Sequence, residues 1–562
     1  MRNLKLTTKL VNTLHLTSKL VNTLNPVKPP NKPENGGKMI VLTASRSEMS
    51  QYDYDPFVAF TCTFPNKLLP GRYKKRWLRS IEQGDGSNKF APYGLRKIEA
   101  ILMEEFGEDN VVVSHYENLD RFVGPKTKLI GISTMDPLGL AYVSTTYNSI
   151  LSFGGEALNS FEFKKLMTHP AIQTYRPKIL VGGSGVWQIK DANMQDEFGI
   201  STLVQGEAEC DLIPLVKKML NNKPVPSYHV TKKPDYDDIP FIKHAATYGT
   251  VEITRGCGRG CQFCSPTMRK KHSFSLDHII KEVEITVKNG CKMIFPNSED
   301  VFLYKSHQGF KPNRKEIVKL IKSIADYPGV DLIHLSHASL APIIYDPKIL
   351  EELTPILLEK TERYLFGKKF VTIEVGVETG SVPLMKKYMK GKALPYSVDN
   401  WPELVCQGIG NMNDNDWYPL CTIMSGMPDE TDEDIIATLN LIDDLKDTKM
   451  FFTPVLFIPL KEAILHNAHR ASLKNFNELH WEFITRCWRN NVRIWSDQRA
   501  DMFVKFMVFS TLLYYRYKHG PESTRSLLNL AGFPGLSYNI RSDKLCEPEI
   551  CLDDSSAINK SF

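Results

Sequence analysis

An α/β architecture is predicted for this chain: a doubly wound, flavodoxin-like sheet first, then strand–helix repeats forming a partial barrel, then a helical module. Three observations predict it. Short apolar strands alternate with amphipathic helical stretches from residue 39 onward. Glycines recur at the expected carboxyl ends of those strands, and Cys257, Cys261 and Cys264 share one glycine-rich loop.

Composition narrows the function class. With 562 residues and 42% hydrophobic content, the chain can bury several cores. Charged residues make up 24%, and the apolar stretches Met450–Leu460 and Phe506–Tyr515 fall short of the roughly 18 to 20 residues that span a bilayer, so no membrane role is expected. Seven basic residues within 1–38, opposed only by Glu34, account for the whole net charge of +6. The rest is balanced, which leaves no global electrostatic case for a nucleic-acid partner. Eleven cysteines, an odd number without a secretory signal, point to reduced thiols, a cytoplasmic location and a possible metal site.

Taken in order, residues 1–38 read as a disordered extension or a targeting segment. Thr8–Leu14 nearly recurs as Ser18–Leu24, a run of prolines follows, and Met39 opens the first apolar strand. Residues 39–222 form the first domain, with strands expected at Met39–Leu42, Val111–Val113, Leu129–Ser133, Ile179–Val181 and Thr202–Val204 and helices at Gly94–Glu105 and Glu209–Leu220. Its candidate ligand positions are Gly131 and Ser133, Gly182 and Gly183, and Gly206 and Glu207, because ligands of open α/β sheets gather at the carboxyl ends of strands. Glycine there would let a ligand approach the backbone. A Pro- and Lys-containing linker, 223–245, leads to the second domain, 246–465, and a helical, aromatic-rich module occupies 466–562.

The cysteine loop carries the sharpest chemistry. Thiolates spaced by three and two residues can ligate three irons of a 4Fe-4S cube and leave the fourth iron open. A ferredoxin would use a fourth cysteine, and structural zinc would want a second Cys or His pair, for which His272 alone is available. Downstream, helices are expected at Leu276–Lys288, Arg314–Ala325, Pro347–Arg363, Val382–Met389 and Asp432–Leu445. Strands are expected at Val251–Thr254, Lys292–Phe295, Asp331–Leu335, Phe370–Val375, Tyr418–Met424 and Phe451–Phe457. Six such repeats make an open (β/α)6 barrel.

The CxxxCxxC loop after a strand, followed by this series, resembles the radical S-adenosylmethionine (SAM) superfamily. The resemblance implies that Cys257, Cys261 and Cys264 hold the cluster and that Asn297, Ser298, Glu299 and Asp300 stand where that family receives the methionyl end of SAM, with Glu299 or Asp300 as the carboxylate. Glu378 and Ser381, in a GVETGS segment, resemble residues facing the ribose, and Ile423 and Gly426, in IMSGMPDET, resemble the adenine border. The first domain is similar to the cobalamin-binding domain of one subgroup. It departs from that pattern after the first strand, where Thr43–Glu48 contains no histidine to serve as a lower ligand.

The function implied is reductive cleavage of SAM with transfer of a methyl group from methylcobalamin to an unactivated sp3 carbon. The substrate would be a small molecule or a protein residue, as in methyl-coenzyme M reductase, and an external donor would supply the electron. Radical rearrangement or cyclisation without methyl transfer, and a non-enzymatic iron-sulfur protein, are the alternatives. His334 and His337 could touch substrate or be satisfied polar residues. Trp481, Phe483, Trp488 and Trp495 read as core, and Cys546 and Cys551 as free thiols.

Overall fold

The computed structural model describes residues 33–151, 155–266 and 269–495, with Tyr514, Arg516–Lys518 and Gly520. Six strands, β1 (Ile40–Ala44), β2 (Val111–Val113), β3 (Leu129–Ser133), β4 (Lys178–Gly182), β5 (Thr202–Gln205) and β6 (Tyr228–Val230), form one sheet in the order β2-β1-β3-β4-β5-β6. All neighbours run parallel. Alternate residues feed two separate cores: Val41, Ile130 and Val181 on one face, and Ile40, Leu42 and Leu180 on the other. Burial on both faces explains why these strands read as continuous apolar runs.

Two boundaries differ from expectation. β6 falls inside the stretch read as a linker; at three residues between proline-containing segments, it shows too little alternation to stand out, and pairing with β5 decides it. Glu34–Lys38 belongs to the fold, since Lys38 N–H bonds to Phe122 O at 2.8 Å and Glu34 pairs with Arg121.

The second domain contains β7 (Thr250–Glu252), β8 (Met293–Asn297), β9 (Leu332–Ile333), β10 (His337–Ala338), β11 (Glu374–Glu378), β12 (Leu420–Ser425) and β13 (Phe451–Leu456). The third strand position is broken into β9 and β10, so the parallel ladder splits into β7-β8-β9 and β10-β11-β12-β13. Ser336 fills the break: its hydroxyl accepts from Ser298 N–H at 2.9 Å and lies within 3.1 Å of the carbonyls of Pro296 and Ser298. A side chain thus replaces rungs of the ladder. The fourth strand starts at Glu374 rather than Phe370; before it Val371 makes only an isolated parallel bridge with Trp417, and Phe370 stacks on Tyr418 with ring centroids 5.0 Å apart. Helices Leu276–Lys288 and Arg314–Ala325 match their expected ranges, and an additional helix, Trp401–Asp414, precedes β12.

An open barrel leaves an edge at β13. Asn491, on helix Glu478–Trp495, exchanges two 2.7 Å hydrogen bonds with the backbone of Phe452, and Thr146, on helix Tyr142–Ile150, accepts from Leu456 N–H at 2.8 Å. Both helices therefore satisfy backbone groups that would otherwise invite strand addition. Among the described residues no helix is long and apolar enough to cross a membrane. Cys546 and Cys551 lie outside the described residues.

Candidate functional site

At the carboxyl ends of the barrel strands a cavity of about 160 Å³ is lined by Cys257, Cys261 and Cys264 together with Glu299, His337 and Glu378. The cysteine loop follows the two-residue strand Thr254–Arg255 and turns through Gly256, Gly258 and Gly260, all at positive φ near +80°. Only glycine takes that conformation without strain. Contacts on several sides hold the loop: Tyr142 OH donates to Phe263 O at 2.7 Å, Gln262 N–H to Tyr388 O at 2.9 Å, and Leu465 N–H to Gln262 O at 2.9 Å.

Two arginines anchor the same loop from opposite sides. Arg255 pairs with Glu252 at 2.7 Å, Glu209 at 2.9 Å and Glu207 at 3.1 Å, which ties the first domain to the strand that leads into Cys257. Burial opposes its charge, but these carboxylates outweigh it and raise the guanidinium pKa. Arg259 donates to the carbonyls of Gly391 and Lys392 at 3.0 Å and pairs with Asp300 at 3.3 Å.

That pairing distinguishes the two carboxylates left open by the sequence. Asp300 is buried and shared among Arg259, Ser339 Oγ and Phe302 N–H. Glu299 is exposed, and both carboxylates line the cavity. Ser298 is a brace, with its Oγ 2.5 Å from Thr254 Oγ1, and Asn297 sits in the ladder, where its carbonyl accepts from Ile253 N–H.

Glu378 reaches the cavity through a local irregularity. The register of β11 on β12 slips between Gly376 and Glu378, and Glu378 takes φ +65°. Its carboxylate pairs with Lys392 at 2.7 Å, both groups being largely buried. A Cβ on Gly376 would lie 2.2 Å from Glu378 Oε1 and 2.5 Å from Lys392 Nζ, so glycine makes room for the pair. Burial opposes the Lys392 charge, while Glu378, Cys261 and Cys264 raise its pKa. Burial likewise pushes the Cys257 thiol up to about 11, so metal binding there must release a proton.

On β10, His337 Nε2 lies 3.5 Å from Glu374. Desolvation would lower its pKa, but Glu374, Glu299 and the carbonyl of Ser298 raise it to about 9. His334 stands apart from this group; burial and Arg363 hold its pKa down to about 4.

Several expected site residues have other duties. Ser381 caps helix Val382–Tyr388 by accepting from Leu384 N–H at 3.1 Å, and its hydroxyl donates to Asp434. Its hydroxyl proton is thereby committed to Asp434, which leaves it only acceptor capacity. Ile423 is fully buried and absent from the cavity wall, and a Cβ on Gly426 would lie 2.4 Å from Ala471 Cβ. At the first sheet, added Cβ atoms at Gly131, Gly183 and Gly206 would meet Leu42 Cδ2 at 2.6 Å, Thr134 O at 2.4 Å and Thr231 Oγ1 at 2.4 Å. Close packing of neighbouring protein by itself accounts for glycine at these three positions. Glu207 is committed to Arg255 and Arg269. Gly182 differs: its nearest neighbour would be Val204 O at 3.8 Å, and it lies beside Ser133 in the ladder.

Arg259, His337, Glu374 and Lys392 complete the charged set. No sequence signal separated Arg259 from an ordinary loop arginine, or Lys392 from the lysines around it.

Do these residues suit an iron-sulfur cluster? Among the described residues no three His, Cys, Asp or Glu side chains gather closely enough for a single metal ion. The three thiols instead surround one larger cavity, with the Lys392 ammonium beside two of them, which suits a multinuclear cluster of thiolates better than mononuclear zinc.

Comparison with known proteins gives the same assignment. Residues 251–442 match the family model described as the radical SAM superfamily. The chain is 25% identical over 329 residues to a tRNA-2-methylthio-N(6)-dimethylallyladenosine synthase of Fusobacterium nucleatum, covering 56% of this chain and 68% of that protein. It is 24% identical to the corresponding synthase of Leptothrix cholodnii (49% of this chain, 54% of the relative) and 24% identical to the ribosomal protein uS12 methylthiotransferase RimO of Parabacteroides distasonis (36% and 43%). The chain thus spans about half or less of the length of the latter two. The solved structure of TsrM, a radical SAM methyltransferase from Kitasatospora setae with cobalamin and a 4Fe-4S cluster bound, aligns over 76% of this chain and 74% of its own at a TM-score of 0.48 and 13% identity. With three cysteines and a set of charged pairs around one cavity at the carboxyl ends of the strands, residues 251–442 form a radical SAM domain.

Proposed function

We propose that the protein is a radical SAM methyltransferase that uses methylcobalamin to methylate an unactivated sp3 carbon. One observation carries the radical SAM part: Cys257, Cys261 and Cys264 face the same cavity as Glu299, Glu378 and His337. In this reading the three cysteines hold the cluster, Glu299 receives the methionyl ammonium, and the Glu378–Lys392 and His337–Glu374 pairs fix the remaining polar groups of SAM. A bound cluster supplies the electron that cleaves SAM, and cobalamin supplies the methyl carrier. The protein's own work is orientation and exclusion of water.

Cobalamin is assigned to the carboxyl edge of the first sheet, beside Ser133 and Gly182. Buried carboxamide oxygens around the loop leaving β3, Asn148 Oδ1 and Asn159 Oδ1, have no hydrogen-bond partner. Such orphaned acceptors suit the amide N–H groups carried by a corrin. No histidine follows β1, so the reading includes no imidazole ligand from that loop.

The curated relatives are named for methylthiolation of tRNA and of a ribosomal protein, so product mass is the deciding measurement. Anaerobic reconstitution with iron, sulfide, SAM, cobalamin and reductant should yield deoxyadenosine and a methylated product. A methylthio product would overturn carbon methylation, and turnover without cobalamin would favour rearrangement. Replacing Cys257, Cys261 or Cys264 with Ala should abolish both the cluster absorbance and deoxyadenosine formation; turnover retained in any of the three would remove the radical SAM assignment.

A further inference from the structure

A second cavity, of about 340 Å³, lies toward the amino ends of the same barrel strands. Along β11 and β12 side chains alternate in direction, so residues two apart share a face. Glu374 and Thr422 line the cluster cavity, and Thr372 and Leu420, each two residues earlier, line the second one. On β13 Phe451, in register with Leu420, continues the second layer, and Thr453, in register with Thr422, carries the second cavity up to the level of the first. The two cavities are therefore successive layers of one barrel, about 7 Å apart along the strands.

The walls of the lower layer are aromatic and come from three parts of the chain. Phe57 and Phe60 belong to the segment beneath the barrel, Tyr147 to the helix of the first domain, and Trp488 and Trp495 to the helix after the barrel. Two polar atoms in this wall have no hydrogen-bond partner: Thr453 Oγ1, on a residue 4% exposed, and Arg363 Nε. Arg363 already pairs with Asp55 at 2.5 Å and lies 4.6 Å from the Phe57 ring centroid. Its charge is compensated, so the free N–H calls for an uncharged acceptor in preference to an anion. An apolar cavity of this size with a few convergent polar atoms is the usual form of a small-molecule site.

We propose that this chamber is the substrate subsite: it binds a flat, uncharged ring group bearing a carbonyl-type acceptor, with Thr453 and Arg363 as donors, and directs the rest of the substrate toward the cluster cavity. The assignment of the ligand as substrate rests on the proposed radical SAM reaction; the binding itself does not.

The test uses 2-naphthamide as probe, titrated by fluorescence into the full-length reconstituted protein without SAM or reductant. Saturable binding at one site is expected, weakened at least tenfold by Leu420→Trp, which fills the chamber, and severalfold by Thr453→Val, with Thr453→Ser restoring it. SAM binding and cluster absorbance, measured on the same samples, should stay at wild-type level. If Leu420→Trp does not fold, the Thr453 pair decides. Absence of saturable binding to the wild-type protein, or equal affinity across the Thr453 variants, would overturn the subsite. Loss of SAM cleavage in the wild-type protein would instead strike the reaction and leave the binding result standing.

Discussion

Two parallel sheets in this molecule end in glycine-rich loops, yet their carboxyl edges are built in different ways. At the first sheet the loops close on one another: Glu48, after β1, accepts from Met135 N–H at 3.0 Å, Asp136 accepts from Leu140 and Gln188, and Gly183 packs against Thr134. At the barrel, thiols and charged pairs surround a cavity. Glycine at a strand end therefore carries two meanings, closeness to protein or closeness to ligand, and only the neighbours tell which. The charged pairs at the barrel cavity also cost desolvation energy.

The largest effect should come from the joint between these regions. Arg255→Met would leave Glu252, Glu207 and Glu209 without their shared cation, a loss of about 3 to 5 kcal/mol in stability. Denaturant unfolding would show it, and an unchanged midpoint would mean that the two edges are not mechanically linked. Next, Gly183→Ala should destabilise by about 1 to 3 kcal/mol with or without cobalamin, because it sets a side chain at φ +102° against the Thr134 backbone. Gly182→Ala has room for its added methyl and should leave stability near wild type while weakening cobalamin binding; if equilibrium dialysis finds wild-type affinity, cobalamin does not sit beside β4.

The smallest effect separates the edges by pH. His337 has its pKa raised to about 9 from an ordinary value near 6.5. Its contribution to stability is thus fully present below about 6.5 and is lost as pH rises through 9. Glu48 has the same sign in a lower window: burial raises its carboxyl to about 7, so its edge loses stability as pH rises from about 4.5 to 7. His337→Gln should flatten the alkaline limb of a thermal-melt profile and Glu48→Gln the acidic-to-neutral one. A His337→Gln profile parallel to wild type between pH 6.5 and 9 would show that Glu374 does not hold the imidazolium.

The carboxylate choice shows how much of the site could be read in advance. Glu299 and Asp300 are adjacent acids in the sequence; Arg259, forty-one positions before Asp300, pairs with Asp300 while Glu299 stays exposed. Ser381 illustrates the converse. Its motif is distinctive, but the same hydroxyl that could face a ribose also caps a helix and donates to Asp434, fifty-three residues later. The aromatic residues after the barrel divided similarly: Trp481 and Phe483 are core, as their spacing suggests, whereas Trp488 and Trp495 wall the chamber.

By itself the sequence determined the parallel strands, most of the helices of the barrel, and the cysteine loop, because apolar runs, amphipathic periods and ligand spacing are local properties of a chain. Tertiary structure alone decided the break at Ser336, the inward turn of Glu378 and the edge strand β6. It also decided which glycines face protein and which aromatic rings meet below the barrel. Each of these depends on a partner distant in sequence, and a side chain's chemistry does not reveal which partner the fold will bring to it.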